Sequence, residues 1–234
     1  MLESEFSLAD AMKSAARSIG SPQSQEAMLS AITHAAADAI PGVDHASISI
    51  VNRHRQLEVL VPTDQFVADA DRLQCEVGEG PCLDAALGTP VVRSDDIARE
   101  VRWPKYSPRA ADMGVGAQMA MHLYDHNQSL GGLNLYFNKP RSISADSADI
   151  AGLFATHAAI VMGHARELET LTKALSTRKV IGAAIGIIME RYELDEDSAF
   201  RFLIRMSQTN NVKLRRVAEE IVAHANLKSK NQLN

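Results

Sequence analysis

Apolar residues along this chain keep two different periods. Between residues 23 and 40, Met28, Leu29, Ile32, Ala35, Ala36 and Ile40 recur at helical spacing. Ser21 or Ser24 is placed to cap that segment, Pro22 stands at its entry and Pro41-Gly42 stops it. Residues 5–20 read as a preceding helix. From Ala46 the period shortens to two. Ala46, Ile48 and Ile50 alternate with Ser47, Ser49 and Val51, then Leu57, Val59 and Val61 with Glu58 and Leu60, which predicts a hairpin turning through Arg53-His54-Arg55. A short helix over 64–74, a Gly/Pro-rich loop, a helix over 82–87 and a strand over 89–92 follow. After a long connection over 93–114, two more strands, 117–124 and 132–137, turn at Asp125-His126-Asn127-Gln128. This order predicts an α+β domain built on an antiparallel sheet.

The pattern changes at Ser144, which can cap a helix carrying Asp146 and Asp149 in its first turns. Ile150, Phe154, His157, Val161, His164, Leu168, Leu171 and Leu175 then alternate in steps of four and three, the seam of a parallel coiled-coil dimer. His157 and His164 fit a polar pair that sets register; a pH-sensing or metal-ligating pair is the alternative.

Three amphipathic segments close the chain. Val180, Ile181, Ala184, Ile185, Ile188 and Met189 form one face, Ala199, Phe200, Leu203 and Met206 a second, and Leu214, Val217, Ala218, Ile221, Val222 and Ala225 a third. Asp195 caps the second segment and Thr209-Asn210-Asn211 ends it, so an all-α three-helix bundle is expected.

Charge divides along the same line. From Leu171 onward there are 11 Lys+Arg against 7 Asp+Glu, a local +4, whereas the preceding residues carry 13 against 22, or −9. A basic helical module behind an acidic domain suits a polyanionic partner. Cys75 and Cys82 form no C-x-x-C and no zinc-type set, and no metal-ligand spacing is present, so reduced thiols and no metal are expected. No apolar run approaches the ~18 residues of a membrane span. A signal-peptide pattern is also lacking, so a cytoplasmic protein without membrane attachment is expected.

The run Val180-Ile181-Gly182-Ala183-Ala184-Ile185-Gly186-Ile187-Ile188-Met189-Glu190-Arg191, with Ala199-Phe200, Leu203, Ser207, Asn211, Lys213-Leu214-Arg215, Val217-Ala218 and Ile221-Val222, resembles an ANTAR domain. That resemblance implies a three-helix RNA-binding module acting in transcription antitermination. Ile185 stands where the family usually has Lys, and Glu193 where it often has Gly. The preceding domain resembles a GAF domain, through Val77-Gly78-Glu79-Gly80-Pro81-Cys82-Leu83-Asp84-Ala85, Asp95-Asp96, Arg102-Trp103-Pro104, Gly114-Val115-Gly116 and Gly131-Gly132-Leu133-Asn134-Leu135-Tyr136. It implies a pocket between the sheet and its covering loops for a small-molecule effector. Cyclic nucleotides, cyclic dinucleotides and an orphan pocket are all left open.

Together these features predict a GAF-like sensor over 1–143, a coiled-coil signalling helix over 144–176 and an ANTAR-like RNA binder over 177–234, working as a homodimer on paired stem-loops of nascent transcripts. Arg178, Arg191, Arg205, Lys213, Arg215 and Arg216 are the candidate phosphate contacts, Ser207 and Asn211 the base contacts, and Ala184 and Gly186 the small residues that let a nucleotide approach. Trp103, Tyr106 and Asn134 are the candidate pocket walls. Two alternatives use other residues. Cys82, at a helix N-terminus after Gly-Glu-Gly-Pro, and Cys75 would serve a redox sensor or a methionine sulfoxide reductase, and the last helix would serve a helical DNA reader.

Overall fold

The computed structural model describes residues 24–51, 57–125 and 128–232; the helix expected over 5–20 and the Arg53-His54-Arg55 turn lie outside them. The chain divides into two compact units, the first extending to Ala165 and the second beginning at Arg166.

In the first unit, helix α1 (Gln25–Ala39) starts at Ser24, whose Oγ accepts the Ala27 N–H at 3.2 Å. Strands β1 (His45–Val51) and β2 (Leu57–Val59) follow, then helices α2 (Gln65–Val77) and α3 (Pro81–Ala86) and strand β3 (Val91–Ser94). A 3-10 turn at Ile97–Arg99 and helix α4 (Ser107–Met113) occupy the long connection read from sequence, before β4 (Ala117–Asp125) and β5 (Gln128–Phe137). The sheet is antiparallel in the order β2-β1-β5-β4-β3. Gly131 carries φ +150°, and a Cβ there would stand 2.0 Å from the Ser49 carbonyl oxygen, so only glycine lets β1 and β5 approach at this point.

The period of two sends the strands' side chains to opposite faces. Ile48, Leu133, Leu135, Phe137, Met119 and Leu123 point to one, where Leu29, Ile32 and Ala36 of α1 cover them. The other face carries Ser47, Ser49, Asn134, Tyr136 and Gln118, all fully buried. A second apolar cluster, with Val67, Leu73, Trp103, Tyr106 and Ala110, lies beside that polar layer and takes in Tyr136 and Ala120.

Helix α5 (Ala145–Tyr192) runs for 48 residues, and Ser144 Oγ accepts the Ser147 N–H at 3.1 Å to cap it. Its beginning belongs to the sensor core. Phe154 is 2% exposed and Val161 7%, both in the cluster against the sheet, and Ile150 packs on it half-buried. This corrects the seam expected from sequence. A heptad stripe and the apolar stripe of a helix laid on a sheet have nearly the same spacing, and here the sheet takes these three residues. His157 is half-buried and His164 exposed. Further along the helix, Leu168, Leu171 and Leu175 stand out in solvent, at 65%, 54% and 66% exposure.

In the second unit, the end of α5 is followed by α6 (Glu196–Thr209) and α7 (Leu214–Gln232). Asp195 caps α6 by accepting the Ser198 N–H at 2.7 Å. Ala184, Ile188, Ala199, Leu203, Val217 and Ala218 form the buried centre of this bundle.

Candidate functional site

The first unit's site is a polar layer between the sheet and α2. On α2, Asp71 and Gln74 follow Val67 on its buried face, so a carboxylate and an amide are carried into the core. Asp71 is fully buried and meets five donors. Oδ2 accepts from Ser47 Oγ at 2.5 Å and Ser49 Oγ at 3.1 Å, and Oδ1 accepts from Asn134 Nδ2 at 3.1 Å, Gln74 Nε2 at 3.3 Å and the Tyr136 hydroxyl. Burial raises the Asp71 pKa, with these hydrogen bonds acting the other way. The Tyr106 hydroxyl donates to Gln118 Oε1 at 2.6 Å, and burial pushes both the Tyr106 and Tyr136 hydroxyls well up.

The Gly/Pro loop builds the layer's roof. Gly78 closes α2 at φ +74°, Gly80 follows at φ +144°, and Pro81 opens α3. Gln74 Oε1 accepts the Cys82 N–H at 2.8 Å, while Glu79 accepts the Tyr106 N–H at 3.0 Å and the Lys105 N–H. Trp103 Nε1 donates to Asp84 Oδ2 at 3.0 Å, and the Arg102 guanidinium lies 4.4 Å from the Trp103 ring centroid. Arg102 also grips Glu100 through two bonds of 2.6 and 3.0 Å and holds that carboxyl down to about 2. Outside α3 lies a cleft of about 520 Å³ lined by Cys75, Glu79, Leu83, Asp84, Leu87 and Trp103 among others.

Of the three sequence-selected wall residues, Tyr106 and Asn134 sit inside the polar layer and Trp103 backs the outer cleft. Asp71, Gln74, Ser47, Ser49, Gln118 and Tyr136 were not singled out from sequence. The available signal was a carboxylate on the apolar stripe of α2. Cys82 is not the stabilised thiolate its place at a helix start suggests. It is fully buried, and desolvation, with the Asp71 charge adding to it, pushes the thiol well above its ordinary value.

Charge in the second unit clusters at both turns, with Arg191 among the carboxylates of the first and Glu219 and Glu220 beside the cations of the second. Glu190, Glu193, Asp195, Glu196 and Asp197 gather around the α5–α6 turn. Helix α6 is 14 residues long, and one such length back along α5 from that turn lies Arg178, with Lys179 next to it. Lys213 lies in the α6–α7 turn, and Arg215 and Arg216 stand in the first turn of α7. Arg178, Arg191, Arg205, Lys213, Arg215 and Arg216 are all exposed. Two of them carry carboxylate partners: Arg215 Nε lies 2.8 Å from Glu219 and Arg216 Nε 3.6 Å from Glu220. Ser207 donates its hydroxyl to the Val212 carbonyl at 2.6 Å and so holds the turn, in which exposed Asn211 adopts φ +51°. Ala184 is fully buried in the bundle's centre, which corrects its assignment as a nucleotide contact: helix packing takes its methyl group. Gly186 is exposed, and a Cβ there would meet nothing within 4 Å.

A GAF domain model matches residues 22–162, and an ANTAR domain model matches residues 169–222. The chain belongs to the GAF family and carries an ANTAR domain behind its GAF domain. Solved structures agree on the GAF fold. The GAF domain of a phosphoenolpyruvate-protein phosphotransferase (ptsP) from Coxiella burnetii superposes with TM-score 0.57 at 14% identity, covering 72% of this chain and 99% of that one. The GAF domain of the Acinetobacter phosphoenolpyruvate-protein phosphotransferase gives 0.55 at 15%, covering 68% and 94%. A type II free methionine-R-sulfoxide reductase from Thermoplasma acidophilum gives 0.50 at 16%, covering 60% and 93%. At these identities the likeness shows the fold alone. No curated protein matches the chain.

GAF domains sense ligands and ANTAR domains bind RNA in antitermination, so the GAF–ANTAR architecture is that of a sensor-regulated RNA-binding regulator, both of whose domains are regulatory modules. Among the described residues, no helix is long and apolar enough to cross a membrane, and no group of three or more His, Cys, Asp or Glu could hold a metal ion.

Proposed function

We propose that this chain is a ligand-responsive antiterminator that binds paired stem-loops of a nascent transcript as a dimer. The GAF domain, with α5 as far as Met162, is the sensor; the stretch to residue 176 carries the signal; the ANTAR bundle from residue 177 grips RNA. A ligand changes the packing or register of the helix, and two ANTAR bundles then hold two hairpins whose persistence prevents a terminator from forming.

The observation that carries this reading is the set of exposed cations on the ANTAR bundle. Arg178 and Lys179 are exposed on α5, and exposed Lys213, Arg215 and Arg216 follow exposed Asn211 at the α6–α7 turn, where Glu219 and Glu220 partner two of them. Cations over phosphates and polar groups over unpaired bases are what loop recognition requires, because A-form duplex hides its base edges. Exposed Leu168, Leu171 and Leu175, one step before the bundle, support pairing of two chains.

The test is binding of the full chain to a two-hairpin RNA, to one hairpin and to duplex DNA at one salt concentration, with mass by light scattering. Tight binding of the two-hairpin RNA by a dimer is expected. Equal affinity for duplex DNA would favour the helical DNA-reader alternative, and monomeric mass at every concentration would remove the dimer.

A further inference from the structure

We propose that the sensor's ligand site is the polar floor beneath α3, and that it takes a small ligand with an uncharged planar hydrogen-bonding edge, such as a free nucleobase or lactam, and rejects phosphate-bearing ligands. This rests on the reading of the GAF domain as a ligand sensor and adds the chemistry of what it senses.

Two buried amides mark the site. Asn134 uses its Nδ2 on Asp71, Ser47 and Ser49, at 3.1, 3.2 and 3.4 Å, and its Oδ1 has no partner among the described residues. That orientation is fixed, because a reversed amide would turn its oxygen onto the Asp71 carboxylate. Gln118 pairs one end of its amide with the Tyr106 hydroxyl, and the other end is without a partner. Both residues are fully buried, where a polar atom without a hydrogen bond is destabilising. In the register Ala120 lies opposite Asn134 and Gln118 opposite Tyr136, so both amides belong to the same buried face of the sheet.

The floor beside Asn134 has room for one more carbon. A Cβ built on Gly132 would stand 3.7 Å from Asn134 Oδ1 and 3.6 Å from both Cys82 Sγ and the Met121 carbonyl oxygen, so an added carbon fits there without displacing anything. Helix α3 is the roof. Cys82, Ala85 and Ala86 are buried, whereas Leu83, Asp84 and Leu87 line the outer cleft, so this short helix has one side on the cleft and the other in the core. Positive-φ glycines flank this helix, Gly78 and Gly80 before it and Gly88 after it, which suits a segment that moves as one piece.

Charge decides the ligand class. The buried polar residues described include Asp71 and contain no lysine or arginine. At the rim, His45 is paired with Asp64 and His122 with Ser129, and Arg102 of the outer cleft is held by Glu100 and the Arg93 carbonyl. A phosphate would enter as an anion beside a carboxyl group with no cation to receive it, whereas an N–H of a neutral base satisfies Asn134 Oδ1 directly.

The experiment is a thermal-shift titration of the full chain with adenine, uracil, cyclic AMP and uridine monophosphate. Adenine or uracil should raise the melting temperature, with the phosphate counterpart at least about tenfold weaker, or 1.4 kcal/mol. Asn134→Leu should abolish the shift; if that variant does not fold, Gln118→Met should weaken it. A phosphate counterpart that binds as tightly as its base, or a base shift that survives in these variants, overturns the inference while leaving the sensor reading intact. Absence of any shift with all four overturns the inference and counts against the sensor reading as well. RNA binding, measured separately by anisotropy, is untouched by either result.

Discussion

Asn134 Nδ2 stands 3.1 Å from Asp71 Oδ1, tying the middle of the sheet to helix α2 across the polar layer. The carboxyl group at this junction is fully buried, and burial raises its pKa above the ordinary aspartate value. A raised carboxyl favours the protonated fold. Its stabilisation is therefore fully present below the unfolded pKa and is lost as pH rises through the folded one. Asp71→Asn removes that titration. The stability of the wild type relative to Asp71→Asn should fall as pH rises from that ordinary value upward, read from urea midpoints at a series of pH values. A difference that grows in favour of the wild type would mean that the five donors outweigh desolvation and hold Asp71 ionised.

Glu193 occupies the position where ANTAR sequences often carry glycine, and its φ is +52°. A side chain in the left-handed region costs roughly 1 kcal/mol that glycine does not incur. Glu193→Gly should therefore stabilise the ANTAR bundle by about 1 kcal/mol, measured as a shift of its unfolding midpoint by far-UV circular dichroism. An unchanged or lower midpoint would show that glycine's larger unfolded-state entropy cancels the relief.

Ala184 and Gly186, two residues apart on α5, should respond oppositely to enlargement. Ala184→Leu forces extra methylenes into the bundle's closed centre and should destabilise by about 1–3 kcal/mol. Gly186→Ala adds a methyl where nothing stands within 4 Å and should stabilise the helix by about 0.5–1 kcal/mol. If RNA approaches the backbone at Gly186, the same change weakens RNA binding despite the stability gain. Unchanged affinity would remove Gly186 from the interface.

These two residues also show how far the sequence alone reaches. The alternation in β1 and β2, the strand runs that became β4 and β5 and the helical stripes were legible, and with them the fold. Periodicity defines faces but not what covers them. Ser47 and Ser49 alternate with isoleucines as solvent-facing residues would, yet both are buried because α2 brings Asp71 down to them. Phe154 and Leu171 share one heptad frame, but the first packs on a sheet that only the folded domain supplies. The Arg215–Glu219 pair at spacing four was readable in the sequence, although a count of basic residues passes over it.

That pair bears on RNA affinity. Glu219 lies 2.8 Å from Arg215 Nε and offsets a charge that would otherwise face phosphate. Glu219→Gln should tighten RNA binding severalfold and steepen its salt dependence. Arg178→Ala should weaken binding across sequences and reduce the slope of log K against log salt by about 0.7–0.9, the value for one phosphate contact. Anisotropy titrations of a hairpin RNA from low to moderate salt separate these outcomes; an unchanged slope for Arg178→Ala would exclude that residue from the phosphate contacts.

Leu171 and Phe154 separate association from folding. Leu171 is 54% exposed, so Leu171→Asp leaves the cores of both units intact and, if two chains pair along this stretch, places like charges across the seam. It should shift the protein from dimer to monomer by light scattering without lowering the unfolding midpoint measured at low protein concentration. Phe154 is 2% exposed in the sheet-facing cluster, so Phe154→Ala should cost about 3–5 kcal/mol of GAF-domain stability. A dimer that survives Leu171→Asp would place the association surface elsewhere. If Leu171→Asp gave a monomer that still bound one hairpin but lost its preference for two, pairing of the chains would be the source of two-hairpin recognition, since each ANTAR domain would keep its own grip while the linked second site was lost.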